Sequence, residues 1–187
     1  MSPFIFNTTK SVVFENGAAQ RLPDLAGDLL GTDCLLVTDA GLRKLGLVDA
    51  TVSSLEAAGH RVVIFDEVET LMKAVETGKT AGVTSVVGFG GGSSQDVAKL
   101  ASLLLGSDAD LDSAWGVGQA KGPRLPLVLI PTTAGTGSEV TPVSIITVGA
   151  EEKRGVSSPV ILPDMAILDA ELTLGLPAHI TAATGID

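Results

Sequence analysis

Four almost continuously apolar segments constrain the fold of this chain more than any other feature of its sequence. They span residues 34–37, 61–65, 84–87 and 127–130. Strands of this kind are typical of a parallel sheet whose two faces are both covered by helices. Stretches with helical periodicity surround them, and this alternation predicts an α/β fold with a Rossmann-like parallel sheet flanked by helices. The predicted helices span residues 18–30, 42–45, 50–58, 71–81 and 94–105.

The two ends of the chain carry weaker patterns. Residues 4–6 and Ser11–Phe14 flank a short polar turn and predict an N-terminal β-hairpin. Because no repeat or linker interrupts the sequence, we expect one domain over residues 1–187. Toward the C-terminus the predicted elements are two short extended pieces at a sheet edge and the start of a helix, at residues 153–161, Met165–Leu168 and 177–187.

Composition excludes several classes of protein. With 45% hydrophobic and 18% charged residues in a chain of 187, enough apolar side chains are present for a core, which excludes intrinsic disorder. A net charge of -10 with 12 Lys and Arg residues argues against a nucleic-acid-binding surface. The single cysteine, Cys34, excludes an internal disulfide and a CxxC metal site. The first residues contain neither a basic region nor a long apolar run, so we expect a cytoplasmic protein that does not enter a membrane.

A glycine-rich segment, Gly90-Gly91-Gly92-Ser93, lies between a predicted strand and a predicted helix. Glycine allows the backbone to approach a ligand closely, and a helix N-terminus offers free N–H groups and the positive end of the helix dipole. Together these features predict a pyrophosphate site. The match to the GxGxxG pattern is imperfect, because in a count from Gly88 the third glycine position holds Ser93. A plain tight turn is the alternative, and spacing alone leaves it open.

Asp39 stands at the carboxyl end of an earlier predicted strand. Doubly wound sheets bind ligands at this edge, and an acidic residue there commonly binds a ribose hydroxyl. A carboxylate would also repel a 2′-phosphate, which favours NAD over NADP. Spacing is equally compatible with Asp39 as the N-cap of the next short helix.

A second loop, residues 131–142, follows another buried strand. Its hydroxyl groups could bind phosphate, ribose or amide groups. The alternative is a threonine-rich turn whose side chains satisfy their own backbone. The hydroxyl-bearing residues are Thr132, Thr133, Thr136, Ser138 and Thr141.

Four ordered motifs carry a resemblance to a known family. The chain contains GGGSSQDVAK from Gly90, PTTAGTGSEVT from Pro131, LPDMAILD from Leu162 and TAATGID from Thr181. In this combination they closely resemble the iron-containing (group III) alcohol dehydrogenases. The resemblance covers the nucleotide-binding half of that family, whose members continue into an all-helical, metal-binding domain. It implies that residues 1–187 are the NAD(P)-binding domain and that the helical domain is absent from this chain.

The resemblance also implies roles for individual residues in binding NAD. Gly91, Gly92 and Ser93 would hold the pyrophosphate, and Asp39 would select NAD over NADP. Asp96 would lie toward the nicotinamide end. The remaining residues implied to line the cofactor or to lie beside it are Thr132, Thr133, Thr136, Ser138, Thr141 and Lys153.

The metal site implied by the resemblance is incomplete in this sequence. Asp187 matches the family's first ligand to a divalent metal, Fe²⁺ or Zn²⁺, whose histidine ligands follow further along the family's chain. His60 and His179 match none of those ligands, and we expect them to be ordinary surface or capping residues. Catalytic metal sites generally need about three protein ligands, so we expect this chain to be inactive alone.

The implied reaction is NAD-dependent, metal-activated hydride transfer between small primary alcohols or diols and aldehydes. A maleylacetate reductase-like enzyme, a polyol dehydrogenase and a non-catalytic nucleotide-binding module are the alternatives. The resemblance further implies a homodimer formed through the N-terminal strands. Two positions depart from the family: Val143 replaces a frequent aromatic residue, and the loop after Glu69 is shorter than usual.

Overall fold

The computed structural model describes residues 6–67, 71–149 and 152–186. Its centre is a six-stranded sheet in which every pairing is parallel, which confirms the α/β prediction. The strands are β1 (Ser11–Phe14), β2 (Asp33–Val37), β3 (Arg61–Phe65), β4 (Ser85–Gly90), β5 (Gly116–Val117), β6 (Leu127–Pro131), β7 (Val143–Val148), β8 (Glu152–Ser157) and β9 (Met165–Leu168). The order in the main sheet is β1-β9-β6-β4-β2-β3.

Helices cover both faces of this sheet. They are α1 (Leu22–Leu30), α2 (Ala40–Lys44), α3 (Asp49–Ala57), α4 (Leu71–Ala81), α5 (Gly92–Gly106), α6 (Leu111–Ala114), α7 (Glu171–Leu174) and α8 (Ala178–Thr184). Short 3₁₀ turns occupy Ala18–Arg21, Ser138–Val140 and Pro159–Ile161. The helix predicted over residues 18–30 is therefore divided, and its α-helical part begins with Pro23 in the first turn.

Two hydrophobic cores lie on opposite faces of the sheet. Along β2, Leu35 and Val37 join the core that contains α4 and α5, whereas Cys34 and Leu36 join the core that contains α1 and α3. Successive side chains of a strand point to opposite faces, so a strand that is buried on both sides must be apolar at every position. The continuous apolar segments of β2, β4 and β6 thus follow from their central place in the sheet, whereas β3 is an edge strand and is mostly half-buried.

Helix α5 packs unusually close to β4 because Gly88 carries no side chain. A Cβ at Gly88 would lie 2.8 Å from the Ala98 Cβ and 2.6 Å from Leu129 Cδ2. Close packing at this point fixes where α5 begins relative to the end of β4. The site described below depends on that junction.

The N-terminal strand differs from the predicted hairpin. β1 pairs in parallel with β9, from Ser11 opposite Met165 to Phe14 opposite Leu168. In the described part of the N-terminus, residues 6–10 form no strand, and Phe4 and Ile5 lie outside the described residues. Polar contacts reinforce this placement, since Lys10 Nζ donates to Asp164 Oδ1 at 2.7 Å. β1 is thus held in the main sheet by its pairing with β9, and the hairpin prediction, which depends on residues 4–6, is not settled by the described residues.

A second, three-stranded sheet was not predicted. It has the order β5-β8-β7, and β7 and β8 form an antiparallel ribbon. The extended piece predicted over residues 153–161 corresponds to β8 and the following 3₁₀ turn, but it lies in this small sheet. The other predicted edge piece, β9, lies inside the main sheet between β1 and β6. Both placements correct the prediction that these two pieces lie at a sheet edge, because each is an inner strand of its sheet.

The C-terminal helix predicted from residue 177 is present as α8. None of the helices in the described ranges combines the length and apolar character required to cross a lipid bilayer.

Candidate nucleotide-binding site

The carboxyl end of β4 leads directly into the first turn of α5. Gly90 has a φ of 150°, a conformation that glycine adopts readily, and Gly91 is the N-cap of the 15-residue helix. Within the described residues no side chain caps this helix, and its first turn contains no acidic residue. The backbone N–H groups of the first turn are therefore left for an external acceptor, and the helix dipole favours an anion.

The threonine-rich loop lies directly against these glycines. β6 pairs with β4 up to Gly90 opposite Pro131, and the Thr132 N–H donates to the Gly90 carbonyl at 3.1 Å. A Cβ at Gly91 would lie 3.7 Å from Thr133 Oγ1, and one at Gly92 would lie 3.2 Å from Thr136 Cγ2. The structure thus brings together the two loops that the sequence singled out.

Thr132 itself is buried, whereas Thr133 is half-buried and Thr136 and Ser93 are exposed. Thr133, Thr136 and Ser93 can therefore reach a ligand, and Thr132 supports the loop from below. The edge is open. A concavity of about 830 Å³ lies elsewhere, at the other end of α5 and lined by residues between Gly106 and Pro123.

Two buried polar atoms near the carboxyl ends of β2 and β4 have no hydrogen-bond partner within the described structure. They are Thr38 Oγ1 and Gln95 Oε1, on residues that are both 0% exposed. The Gln95 amide group is oriented by its Nε2, which donates to the Gly90 carbonyl at 3.0 Å. Buried polar groups are rarely left unpaired unless a ligand, an ion or water completes them. Together with the uncapped glycine turn, they fit a polar cofactor at this edge.

Asp39 is the N-cap of α2. Its Oδ1 accepts a hydrogen bond from the Leu42 N–H at 2.9 Å. The structure thus shows the helix-capping role of Asp39, which the sequence left open as the alternative to ribose binding. The cap uses only Oδ1 of the Asp39 carboxylate. Asp39 is half-buried and follows β2, the strand that lies next to β4 in the sheet. A role in ribose binding is compatible with the cap.

Asp96 and Ser138 are hydrogen-bonded to each other in a largely buried network, and they do not form a solvent-exposed wall of the cofactor site. Ser138 Oγ donates to Asp96 Oδ1 at 2.7 Å, and the Ile145 N–H donates to Asp96 Oδ2 at 2.9 Å. Ser138 is 6% exposed, so it acts on Asp96 more directly than on any ligand. Burial raises the pKa of the Asp96 carboxyl, although both hydrogen bonds and the nearby Lys99 charge act in the opposite direction.

Lys99 belongs to this network and was not among the predicted site residues. Its ammonium group donates to Ser138 Oγ at 2.8 Å and to the Val143 carbonyl at 2.6 Å, and it lies 3.7 Å from Asp96 Oδ1. The residue is completely buried, and burial lowers its pKa to about 8, although the charges of Asp96 and Glu139 act to raise it. The sequence did carry a signal, because Lys99 is the one charged residue in the mostly apolar stretch from Val97 to Leu105.

The remaining predicted residues show no hydrogen bond to the glycine turn within the described structure. Thr141 follows the Ser138–Val140 turn, where its hydroxyl donates to the Ser138 carbonyl at 3.4 Å. Lys153 is exposed on β8 opposite Thr147, in the small sheet. Asp187 lies outside the described residues, so its predicted role as a metal ligand stays a prediction.

Neither histidine lies in a metal cluster. His60 Nδ1 pairs with the Gly31 carbonyl at the end of α1, 2.6 Å away, and His179 is exposed on α8. In the part of the chain that the structure describes, no group of three His, Cys, Asp or Glu side chains could hold a metal ion. The expectation of surface and capping roles agrees with these positions.

The two aspartates of the LPDMAILD motif have structural roles. Asp164 Oδ2 accepts from Arg124 Nη1 at 2.6 Å and from the Leu127 N–H at 3.1 Å, which joins β9 to the segment before β6. Asp169 is 4% exposed and accepts from three backbone N–H groups, those of Gly17, Ala19 and Glu171. These contacts explain why charged residues flank an apolar strand.

Comparison with known proteins agrees with this geometry. The family model described as "Iron-containing alcohol dehydrogenase" matches residues 9–170. The chain belongs to the iron-containing alcohol dehydrogenase family.

Individual proteins resemble the chain over nearly its whole length. A sulfoacetaldehyde reductase of Bilophila wadsworthia (strain 3_1_6) is 37% identical over 98% of this chain and 49% of its own length. The crystal structure of a 1,3-propanediol oxidoreductase superposes with a TM-score of 0.93 at 34% identity, over 100% of this chain and 50% of that one.

A third relative is a sulfoacetaldehyde reductase from Bifidobacterium kashiwanohense, solved in complex with NAD⁺. It has a TM-score of 0.87 and 31% identity, over 100% of this chain and 51% of its own. The chain thus spans about half the length of the family members that it matches. The neighbours establish the Rossmann-like fold of the sheet, and one of them holds NAD⁺.

Proposed function

We propose that residues 1–187 form the nucleotide-binding domain of an NAD-dependent, metal-activated oxidoreductase that interconverts small primary alcohols or diols and aldehydes. The observation that carries the proposal is the uncapped first turn of α5 at the end of β4, with Gly91 and Gly92 facing Thr133 and Thr136. Backbone N–H groups at a helix N-terminus bind pyrophosphate without any need for basic side chains. This suits a chain whose net charge is -10.

The residues on these loops would each bind a different part of the cofactor. Gly91, Gly92 and Ser93 would hold the pyrophosphate, and Thr133 and Thr136 would line the cofactor, with the buried Thr132 supporting their loop. Asp39 would bind the ribose hydroxyls and exclude a 2′-phosphate, which makes NADP the weaker ligand. Asp96 would lie toward the nicotinamide, with Ser138 and Thr141 behind it. Lys153 would approach the nucleotide from the small sheet.

A bound divalent metal would supply Lewis-acid chemistry at the substrate oxygen, and a bound NAD would supply hydride-transfer chemistry. The part of these residues is to bind and orient the cofactor and to keep water from its reactive face. Asp187 is the residue of this chain proposed to bind the metal, Fe²⁺ as the family name implies or Zn²⁺ as the alternative. One carboxylate is fewer than the about three protein ligands that catalytic metal sites use, so we expect the chain alone to bind cofactor without turnover.

The first test is calorimetric titration of the chain with NADH and, separately, NADPH. We expect NADH to bind more tightly. Gly92→Ala should weaken NADH binding about tenfold or more, because the added methyl group would press on Thr136 and narrow the turn. Gly27→Ala is the matched control, since it adds the same methyl group to a helix with only His60 Nε2 within 4 Å, at 3.6 Å. A folded wild-type chain that binds neither nucleotide would contradict the proposal.

Turnover separates the proposed enzyme from its alternatives. A non-catalytic module would bind NADH and gain no activity when the helical domain of a family member is added in trans. The proposed dehydrogenase would gain activity toward small alcohols or aldehydes in the same assay. Maleylacetate reduction or polyol oxidation in place of these reactions would support the enzyme alternatives.

We also propose a homodimer through the N-terminal strands. Among the described residues β1 is the edge strand of the main sheet, and its Val12 and Phe14 side chains are 48% and 76% exposed. An exposed apolar edge strand pairs readily with a second chain. Light scattering should give a dimer at micromolar concentration, and Phe14→Lys should shift it toward monomer. A monomeric wild-type chain would contradict this proposal. The cytoplasmic location stays a prediction from the sequence.

A further inference from the structure

Lys99 is a completely buried cation beside the predicted cofactor edge, and no role in cofactor binding was expected for it. Burial of a lysine is costly unless its ammonium group is paired and hydrogen-bonded. Here the ammonium contacts Ser138 Oγ, the Val143 carbonyl and Asp96 Oδ1, at 2.8, 2.6 and 3.7 Å. Asp96 lies in the second turn of α5, Ser138 on the threonine-rich loop and Val143 at the start of β7.

The donors and acceptors leave one consistent arrangement of protons. A lysine ammonium group can only donate, so Ser138 Oγ must accept from Lys99. The proton of Ser138 is then free to point at Asp96 Oδ1, 2.7 Å away. The Ile145 N–H occupies Asp96 Oδ2, so both carboxylate oxygens accept one short hydrogen bond. The charge of Lys99 thus determines that the buried Ser138 hydroxyl donates its hydrogen bond to Asp96.

We propose that Lys99 is a positioning residue of the cofactor site, acting through Ser138 to keep Asp96 ionised and fixed in direction at the edge where the nicotinamide binds. The proposal rests on the proposed function, because it assumes that NAD binds at this edge. Loss of the lysine charge would allow the Ser138 hydroxyl to turn away from Asp96.

The same network predicts how the site responds to pH. Above a pH of about 8 Lys99 loses its proton, and the neutral amine can accept as well as donate. Ser138 can then donate to Lys99 in place of Asp96. The acidic groups that act on the lysine are Asp96 on α5 and Glu139 on the Ser138–Val140 turn. Both favour the charged form, and burial opposes it.

Two measurements test the proposal on the full 187-residue chain. The first follows the Asp96 carboxyl by ¹³C NMR during a pH titration of wild type, Lys99→Met, Ser138→Ala and the double variant. We expect the Asp96 pKa to rise in each single variant, because each removes an interaction that lowers it. The rise in the double variant should be smaller than the sum, since Lys99 acts through Ser138. Additive rises, or no rise in Lys99→Met, would overturn the proposal.

The second measurement is the dissociation constant for NADH from pH 6 to pH 10. At pH 7 Lys99→Met should bind NADH about tenfold more weakly, the effect of losing one hydrogen bond to a charged group. Wild type should weaken as the pH rises through about 8, and Ser138→Ala should show no such step, because it has no hydroxyl to orient. Lys79→Met, which removes an exposed lysine of α4, should behave as wild type. A purely structural lysine would lower thermal stability but leave the pH profile of Ser138→Ala identical to that of wild type.

The two measurements distinguish failure of this inference from failure of the proposed function. If wild type binds no NADH at any pH, the proposed function fails. Coupled shifts in the Asp96 pKa would still show that Lys99 controls Ser138. If wild type binds NADH but Lys99→Met folds and binds equally well at every pH, the positioning role is overturned and the proposed function stands.

Discussion

The carbonyl oxygen of Thr184 occupies the place where a side chain on Gly135 would begin. A Cβ built on Gly135 would overlap that oxygen and lie 3.3 Å from the Thr184 Cβ. The threonine-rich loop and the last described helix are therefore in backbone contact. Since α8 has no buried residue of its own, this contact is a main constraint on where the helix lies.

Gly135→Ala should displace α8 from the loop. We expect a loss of about 1–3 kcal/mol in the free energy of unfolding, or faster hydrogen exchange confined to residues 178–184 if the helix moves away. Gly175→Ala is the control, because nothing lies within 4 Å of the Cβ position there. Equal stability and equal exchange in the two variants would show that the close contact has no energetic consequence.

Asp39 has one observed role and one proposed role, and two substitutions separate them. Asp39→Asn keeps an acceptor for the Leu42 N–H but removes the charge, so NADPH affinity should rise about tenfold relative to NADH. Asp39→Ala should show the same change and also lose about 1 kcal/mol of stability, because the cap is gone. Nucleotide titration and urea unfolding provide the two readouts. An unchanged NADH/NADPH ratio in both variants would leave Asp39 as a cap alone.

Asp169→Asn should destabilise the chain by about 3 kcal/mol. The buried carboxylate accepts from three backbone N–H groups, and an amide would turn a donor toward at least one of them. Asp110→Asn is the comparison, since Asp110 is an exposed cap that accepts from the single Asp112 N–H at 3.2 Å. We expect that variant to lose less than about 1 kcal/mol in urea unfolding. Similar losses in the two variants would contradict the difference in burial.

The ionised Asp164 carboxylate makes the free energy of unfolding depend on pH in the acidic range. Burial alone would raise its pKa, but hydrogen bonds from Arg124, Lys10 and the Leu127 N–H outweigh it and lower the pKa from 3.8 to about 2. Between these two values the unfolded chain binds more protons than the folded chain. The stabilisation is therefore complete above about pH 4 and is lost as the pH falls toward 2.

We expect this group to account for about 2 kcal/mol of the stability lost between pH 6 and pH 2. Asp164→Asn should be less stable than wild type at pH 7 and should approach it at low pH. Asp28→Asn, at an exposed position of α1, should follow the wild-type curve. Unfolding free energies from urea titrations at several pH values provide the test. A constant difference between wild type and Asp164→Asn at all pH values would contradict it.

The main sheet could be predicted from the sequence because burial on both faces makes each central strand apolar at every position. The β7–β8 ribbon could not, because β7 reverses the usual pattern. Val143 is 37% and Ile145 is 53% exposed, whereas Ser144 between them is completely buried. Its hydroxyl is satisfied by the Asp96 carbonyl at 2.9 Å, a contact between residues 48 positions apart. Periodicity cannot report a partner of this kind.

Much of the candidate site was likewise accessible to sequence reasoning. The glycine turn and the threonine loop follow adjacent strands, so their meeting is a consequence of the β4–β6 pairing. The roles of single side chains were less accessible. Ser138 has a hydroxyl suited to a ligand, yet it lies within the Lys99 and Asp96 network, because the Ser138–Val140 turn packs on α5. Only the fold decides which hydroxyls remain exposed.

The parallel pairing of β1 with β9 also bears on how the chain is made. Lys10 and Asp164 are 154 residues apart, and Glu15 donates its N–H to the Leu168 carbonyl. A ribosome releases the first strand long before its neighbour exists, so Ser11–Phe14 must wait without a partner until β9 has been synthesised. Contacts this distant in the chain form slowly. The exposed phenylalanine and valine of β1 are thus available to chaperones, or to another nascent copy, while the residues between β1 and β9 are being synthesised.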